Sequence, residues 1–143
     1  MHDYRTILVA IDIYSSYELV LERALNMAKK PQDLSLLYVT LPHVYFEPFG
    51  AAFTGDFVDD IRLQGELKLK EIAAMHGIPA EQAYANLGAP VDEIHNAADA
   101  LNADLIVIGT HGKSGLKLLL GSTANGVLHN VKCDVLAVKV NKE

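Results

Sequence analysis

Asp104-Leu105-Ile106-Val107-Ile108-Gly109-Thr110-His111-Gly112 runs four consecutive apolar residues into a polar segment with two glycines. Apolar residues without alternation suit a strand buried on both faces, as in a parallel sheet covered by helices. The segment continues as Lys113-Ser114-Gly115-Leu116-Lys117-Leu118-Leu119-Leu120-Gly121-Ser122-Thr123, and a helical pattern follows. A glycine loop between a strand end and a helix start gathers backbone N–H groups where an anion can sit. Gly109 and Gly112 let a ligand approach the main chain, Ser122 and Thr123 offer hydroxyls, and Lys113 and Lys117 offer either compensating charge or a solubilising pair. His111 reads first as a solvated loop residue and second as a phosphate contact.

Four more apolar runs flank this one. In chain order the strands read β1, Thr6 to Asp12; β2, Leu34 to Thr40; β3, Gln82 to Leu87; β4, Asp104 to Gly109; and β5, Val135 to Val140. Helical patterns separate them, the signature of an α/β fold with an open parallel five-stranded sheet and helices on both faces. The first, fourth and fifth runs are apolar at consecutive positions, so they are expected at the sheet centre and one flank. Ser15-Ser16-Tyr17-Glu18 has the spacing of a capping box opening α1, which Lys29-Lys30-Pro31 closes. Helix α2 is expected from about Asp59 to His76, with Val58, Ile61, Gly65, Leu69, Ile72 and Met75 as its apolar stripe and Gly77 ending it. Gly65 inside that stripe implies close packing. Pro90 starts α3, and Ser122 caps α4, which ends near Asn130. Leu41 to Asp56, rich in Phe, Pro and Gly, lacks periodicity and reads as a functional loop or partner surface.

The 143 residues, half of them hydrophobic and 21% charged, make one domain spanning 1–143. A formal charge of −6 disfavours nucleic acid and anionic membranes. No apolar run approaches the roughly 20 residues of a membrane span, and Met1-His2-Asp3-Tyr4-Arg5 lacks the pattern of a secretory leader, so a cytoplasmic protein is expected. Cys133, the one cysteine, reads as a packing residue, and the six histidines show no metal-ligand spacing.

Sharper motifs fail on spacing. A Walker A loop needs a glycine separated by four residues from Gly112, where Val107 stands. A nucleophile elbow around Ser114 has Gly112 on one side but Leu116 on the other. A dinucleotide fingerprint should follow β1, where Asp12-Ile13-Tyr14-Ser15-Ser16 contains no glycine. Asp12 itself has two readings, a turn into α1 or a ligand contact at the strand end.

Three segments together resemble the universal stress protein family: Ile7-Leu8-Val9-Ala10-Ile11-Asp12, Asp104 to Gly112, and Gly121-Ser122 followed by Cys133-Asp134-Val135-Leu136-Ala137-Val138. The resemblance covers nearly the whole chain and implies a Rossmann-like sheet in the order 3-2-1-4-5, of the adenine nucleotide alpha hydrolase type. It also implies an adenine nucleotide site between β1 and β4. Asp12 and Val39 match the base and ribose positions of nucleotide-binding members. Gly109, Gly112, Gly121 and Ser122, with Thr123 beside them, match the phosphate positions, with Mg²⁺ accompanying ATP. One departure stands out: Lys113 to Leu120 makes eight residues between the second and third glycines, where the family's pattern has nine. Two functions follow, a stress sensor or regulator binding ATP, ADP or AMP with at most weak ATPase activity, and a nucleotide-free dimeric interaction module with an unidentified protein partner. Strand β5 is expected to end at an open sheet edge that is apolar and uncharged from Val135 to Val138, so a homodimer across the Val135 to Val140 edge is expected, as the resemblance also implies.

Overall fold

The computed structural model describes residues 4–40, 55–110 and 122–140. The expected Leu41 to Asp56 loop therefore lies outside the described residues except for Gly55 and Asp56, which belong to the next helix. Strands β1 (Ile7–Ala10), β2 (Leu34–Thr40), β3 (Ala83–Leu87), β4 (Leu105–Gly109) and β5 (Asp134–Val138) form one parallel sheet in the order β3-β2-β1-β4-β5. Four helices, α1 (Tyr17–Met27), α2 (Gly55–Met75), α3 (Pro90–Leu101) and α4 (Ser122–Leu128), connect or follow them. β1 lies at the centre, its Ile7 opposite both Leu34 and Leu105 and its Ala10 opposite both Leu37 and Ile108.

Strand period two divides the core into two layers. Ile7, Val9, Leu36, Tyr38 and Val107 pack on one face with Leu21 and Ala24 of α1 and Leu69 and Ile72 of α2. On the other face Leu8, Leu37, Ile106 and Ile108 pack with Ile94 and Ala98 of α3 and Ala124 and Val127 of α4. Each fully buried Leu or Ile contributes roughly 1.5–3 kcal/mol relative to leaving it exposed. Gly65 explains how α2 comes so close to the sheet: a Cβ there would sit 2.5 Å from Cε2 of Tyr38. The glycine in the stripe is thus a contact with an aromatic ring on β2.

Several expectations need correction. β1 stops at Ala10, although the Ile11 N–H still reaches Leu37 O at 2.9 Å, because Asp12 begins a turn. The capping box does not form: Ser16 at the N-cap makes no side-chain cap bond, and Ser15 Oγ donates instead to Asp12 O at 3.1 Å. Helix α1 ends at Met27, since Ala28 is already extended at φ −94° and ψ 148°. α2 starts at Gly55, ahead of the expected Asp59. Met75, the last residue of α2, is 78% exposed, because the face that Leu69, Ile72 and Ala73 define continues at position 76 and not at 75. Ser122 is the first residue of α4, which ends at Leu128 rather than near Asn130.

The fifth strand also differs from its reading. β5 was expected to be covered on both faces, yet Val135 and Leu136 are half-buried and Ala137 is exposed. It is the edge strand that the expected order makes it, lacking one flanking partner, and it runs Asp134–Val138 rather than Val135 to Val140. The opposite edge is dressed by α2, where Arg62 Nη1 donates to Ala85 O at 3.2 Å and pairs with Glu66 at 3.0 Å. Cys133 packs partly buried against the α3/α4 layer, and burial first, with the Asp134 carboxylate next, pushes its thiol up. That suits a packing residue rather than an activated nucleophile.

Candidate functional site

Ligands of open α/β sheets sit beyond the carboxyl ends of the strands, where the strand order reverses. Here the reversal falls between β1 and β4. Three of the expected site residues reach that edge on three consecutive strands: Asp12 just past β1, Val39 next to the end of β2, and Gly109 at the end of β4. Val39 is half-buried against the α3/α4 layer, the face on which α4 also packs through Ala124 and Val127. Ser122 is exposed and Thr123 half-buried at the start of that helix. Gly112 and Gly121 lie outside the described residues, as do His111, Lys113 and Lys117.

Asp12 does take up the turn that was one of its two readings. Its Oδ1 accepts from the Tyr14 N–H at 3.0 Å, and its carbonyl accepts from the Ser15 N–H at 3.1 Å. This fixes the carboxylate at the mouth of the crevice and leads the chain into α1. A short Asp turn of this kind is a local feature that any ligand role must share.

Sequence reasoning missed the residues around it. The Tyr14 ring meets Tyr38 edge to face, with centroids 6.1 Å apart and planes at 72°. Burial, then the Tyr14 phenol and then the Asp12 charge, push Tyr38 up to about 12. Its phenol is therefore neutral throughout the physiological range. Thr40 closes β2; it is 3% exposed, its carbonyl accepts from the Gly88 N–H at 2.9 Å, and its hydroxyl has no hydrogen-bond partner among the described residues. Thr110 follows Gly109, and its Oγ1 accepts from the Val140 N–H at 3.2 Å, which ties the end of β4 to the chain beyond β5. The alternation of β2 shows that Tyr38 and Thr40 share a face, but no sequence signal pairs Tyr38 with Tyr14.

Two histidines make described contacts with backbone carbonyls. His76 Nδ1 lies 2.8 Å from Ile72 O, and His95 Nε2 lies 2.9 Å from Val127 O, linking α3 to α4. Among the described residues no three His, Cys, Asp or Glu side chains converge as metal ligands.

The model of the universal stress protein family matches residues 3–139. This chain belongs to the universal stress protein family. It is 35% identical to universal stress protein A homolog 2 of Coxiella burnetii over 144 residues, covering 98% of each chain. A universal stress protein from Archaeoglobus fulgidus, solved in complex with dAMP, superposes with a TM-score of 0.58 at 25% identity, covering 95% of this chain and 98% of that one. A universal stress protein in complex with cAMP gives a TM-score of 0.59 at 25% identity over 94% of this chain and 97% of its own. The sheet order expected from the resemblance is the order this universal stress protein has. Among the described residues no helix is long and apolar enough to cross a membrane.

Proposed function

We propose that this universal stress protein binds an adenine nucleotide at the C-terminal ends of β1, β2 and β4 and acts in the cytoplasm as a stress sensor or regulator. The observation that carries this reading is the reversal of strand order between β1 and β4, with Asp12, Val39 and Gly109 on consecutive strands at that edge. A carboxylate is an acceptor-only group suited to ribose hydroxyls or an exocyclic amine, and Val39 offers apolar surface to a base. Asp12 and Val39 would hold the base and ribose; Gly109, Gly112, Gly121, Ser122 and Thr123 would hold the phosphates. Mg²⁺ would bridge phosphate oxygens when the ligand is ATP. The two family members solved with dAMP and cAMP support an adenine ligand.

Hydrolysis in this reading is slow at most. A water attacking a γ-phosphate needs a base near it. Asp12 belongs to the base and ribose side, and the buried Tyr38 phenol stays neutral. Titration calorimetry of refolded, ligand-stripped protein with ATP, with and without Mg²⁺, tests the reading. Micromolar binding is expected, and Gly112→Asp should weaken it more than 100-fold by putting a carboxylate where phosphate would lie. Absence of binding by refolded wild type contradicts it.

A second reading rests on the contrast between the sheet edges. β3 is dressed by Arg62, whereas β5 offers half-buried Val135 and Leu136 and exposed Ala137. That edge supports a homodimer across Val135 to Val140, and with the eight-residue loop it supports a nucleotide-free interaction module. Light scattering giving a dimer, together with no nucleotide binding, selects this second reading over the first.

A further inference from the structure

Thr40 is a buried polar residue with half of its hydrogen bonding complete. Its carbonyl accepts from Gly88, its residue is 3% exposed, and its Oγ1 has no hydrogen-bond partner among the described residues. The comparison with Thr110 is direct: Thr110 is 8% exposed, ends the neighbouring region of the same sheet edge, and uses its Oγ1 to accept from Val140. Leaving a buried hydroxyl unbonded costs about as much as a hydrogen bond contributes, so natural structures keep few such groups, and each calls for a cause. The Tyr38 phenol lies near enough for Thr40 to favour its ionised form slightly, but the two hydroxyls do not reach hydrogen-bonding geometry.

The position of this hydroxyl suggests what completes it. Thr40 ends the strand beside β1, at the edge where Asp12 sits, and by strand alternation its side chain shares the face of Tyr38 rather than that of Val39. Adjacent strands are about 4.8 Å apart, so β2 stands roughly 10 Å from β4, whose loop belongs to the phosphate end. We infer that Thr40 Oγ1 is a specificity contact for the base–ribose end of the bound nucleotide, an inference that rests on the nucleotide reading above. The ligand then supplies the partner that the described residues do not.

The test compares adenosine with ATP, each titrated by calorimetry into wild type, Thr40→Val and Thr40→Ser. Valine keeps the shape and removes the hydroxyl; serine keeps the hydroxyl. T40V should weaken adenosine and ATP by the same factor, about 5–10-fold, the worth of one hydrogen bond. T40S should stay within about twofold of wild type. The melting temperature of ligand-free T40V should equal or exceed that of wild type, because no bond to a described residue is lost. Unchanged adenosine affinity in T40V overturns the inference, whatever its melting temperature, and so does an equal loss in T40S. Should T40V fail to fold, Thr40→Ala set against T40S carries the same contrast. Wild type that binds neither adenosine nor ATP overturns the nucleotide reading and this inference with it, whereas binding by wild type with no effect of T40V overturns this inference alone.

Discussion

At the N-terminal ends of β1 and β4, Asp104 accepts from the backbone N–H groups of Arg5 and Thr6 at 2.9 and 3.0 Å, and its own N–H donates to Thr6 O at 2.9 Å. Tyr4 donates to Asp134 at 2.6 Å, and Gln82 donates to the carbonyls of Gln32 and Leu34 at the start of β2. At the C-terminal ends the polar groups are used differently. Asp12 holds a turn at the C-terminal edge, and the Thr40 hydroxyl has no hydrogen-bond partner among the described residues. Backbone ties also occur at this end, from Gly88 to Thr40 and from Val140 to Thr110, but among the described residues the carboxylates that bridge strands lie at the other. The proposed nucleotide site would then lie opposite the more heavily bonded end.

That division makes separable predictions. Asp104→Ala removes two charge-assisted bonds to backbone N–H groups and should cost about 2–3 kcal/mol of stability, read as a shift in urea midpoint, with ATP affinity unchanged. A parallel loss of affinity would break the division. Asp12→Asn does the reverse: Asn keeps the Oδ1 that accepts from Tyr14, so stability should hold within about 0.5 kcal/mol. Adenosine and ATP should both bind about tenfold more weakly, since the charge is lost at the base and ribose side.

The smallest effect concerns pH. Tyr38 ionises at about 12 in the folded chain against an ordinary value of 10.0, chiefly through burial. The folded protein therefore keeps this proton when the unfolded chain has begun to lose it. The stability tied to Tyr38 is fully present below pH 10 and is lost as pH rises toward about 12. Tyr38→Phe should flatten that part of the denaturation profile relative to wild type while leaving ATP affinity at pH 7.5 within about twofold. An equally steep fall in the variant would assign it to other groups.

Much of the architecture was legible in the residue pattern. β2 spans Leu34–Thr40 as the pattern predicts, and Gly77, with φ 77°, follows the end of α2 where it was expected. Gly65 announced a close contact, though only the fold identifies Tyr38 as the ring it meets. The errors have physical causes. Ser15 and Ser16 looked like a capping box because the spacing is right, but Ser15 bonds to Asp12, which sequence spacing cannot foresee. β5 is the edge strand that the expected order makes it, but its apolar run suggested cover on both faces, and apolarity does not tell a covered face from an open one. At the candidate site Asp12, Val39 and Gly109 were readable as strand-end residues, whereas the Tyr14–Tyr38 contact and the buried Thr40 hydroxyl exist only in three dimensions.

The most direct test of the division is an amide NMR titration of the full chain with AMP. Binding at the C-terminal edge should shift the amides of Asp12, Val39, Thr40, Gly109 and Ser122 and leave those of Thr6, Gln82 and Asp104 unmoved. Shifts concentrated at Thr6, Gln82 and Asp104, or none anywhere at millimolar AMP, would contradict a nucleotide site at the C-terminal ends of the strands.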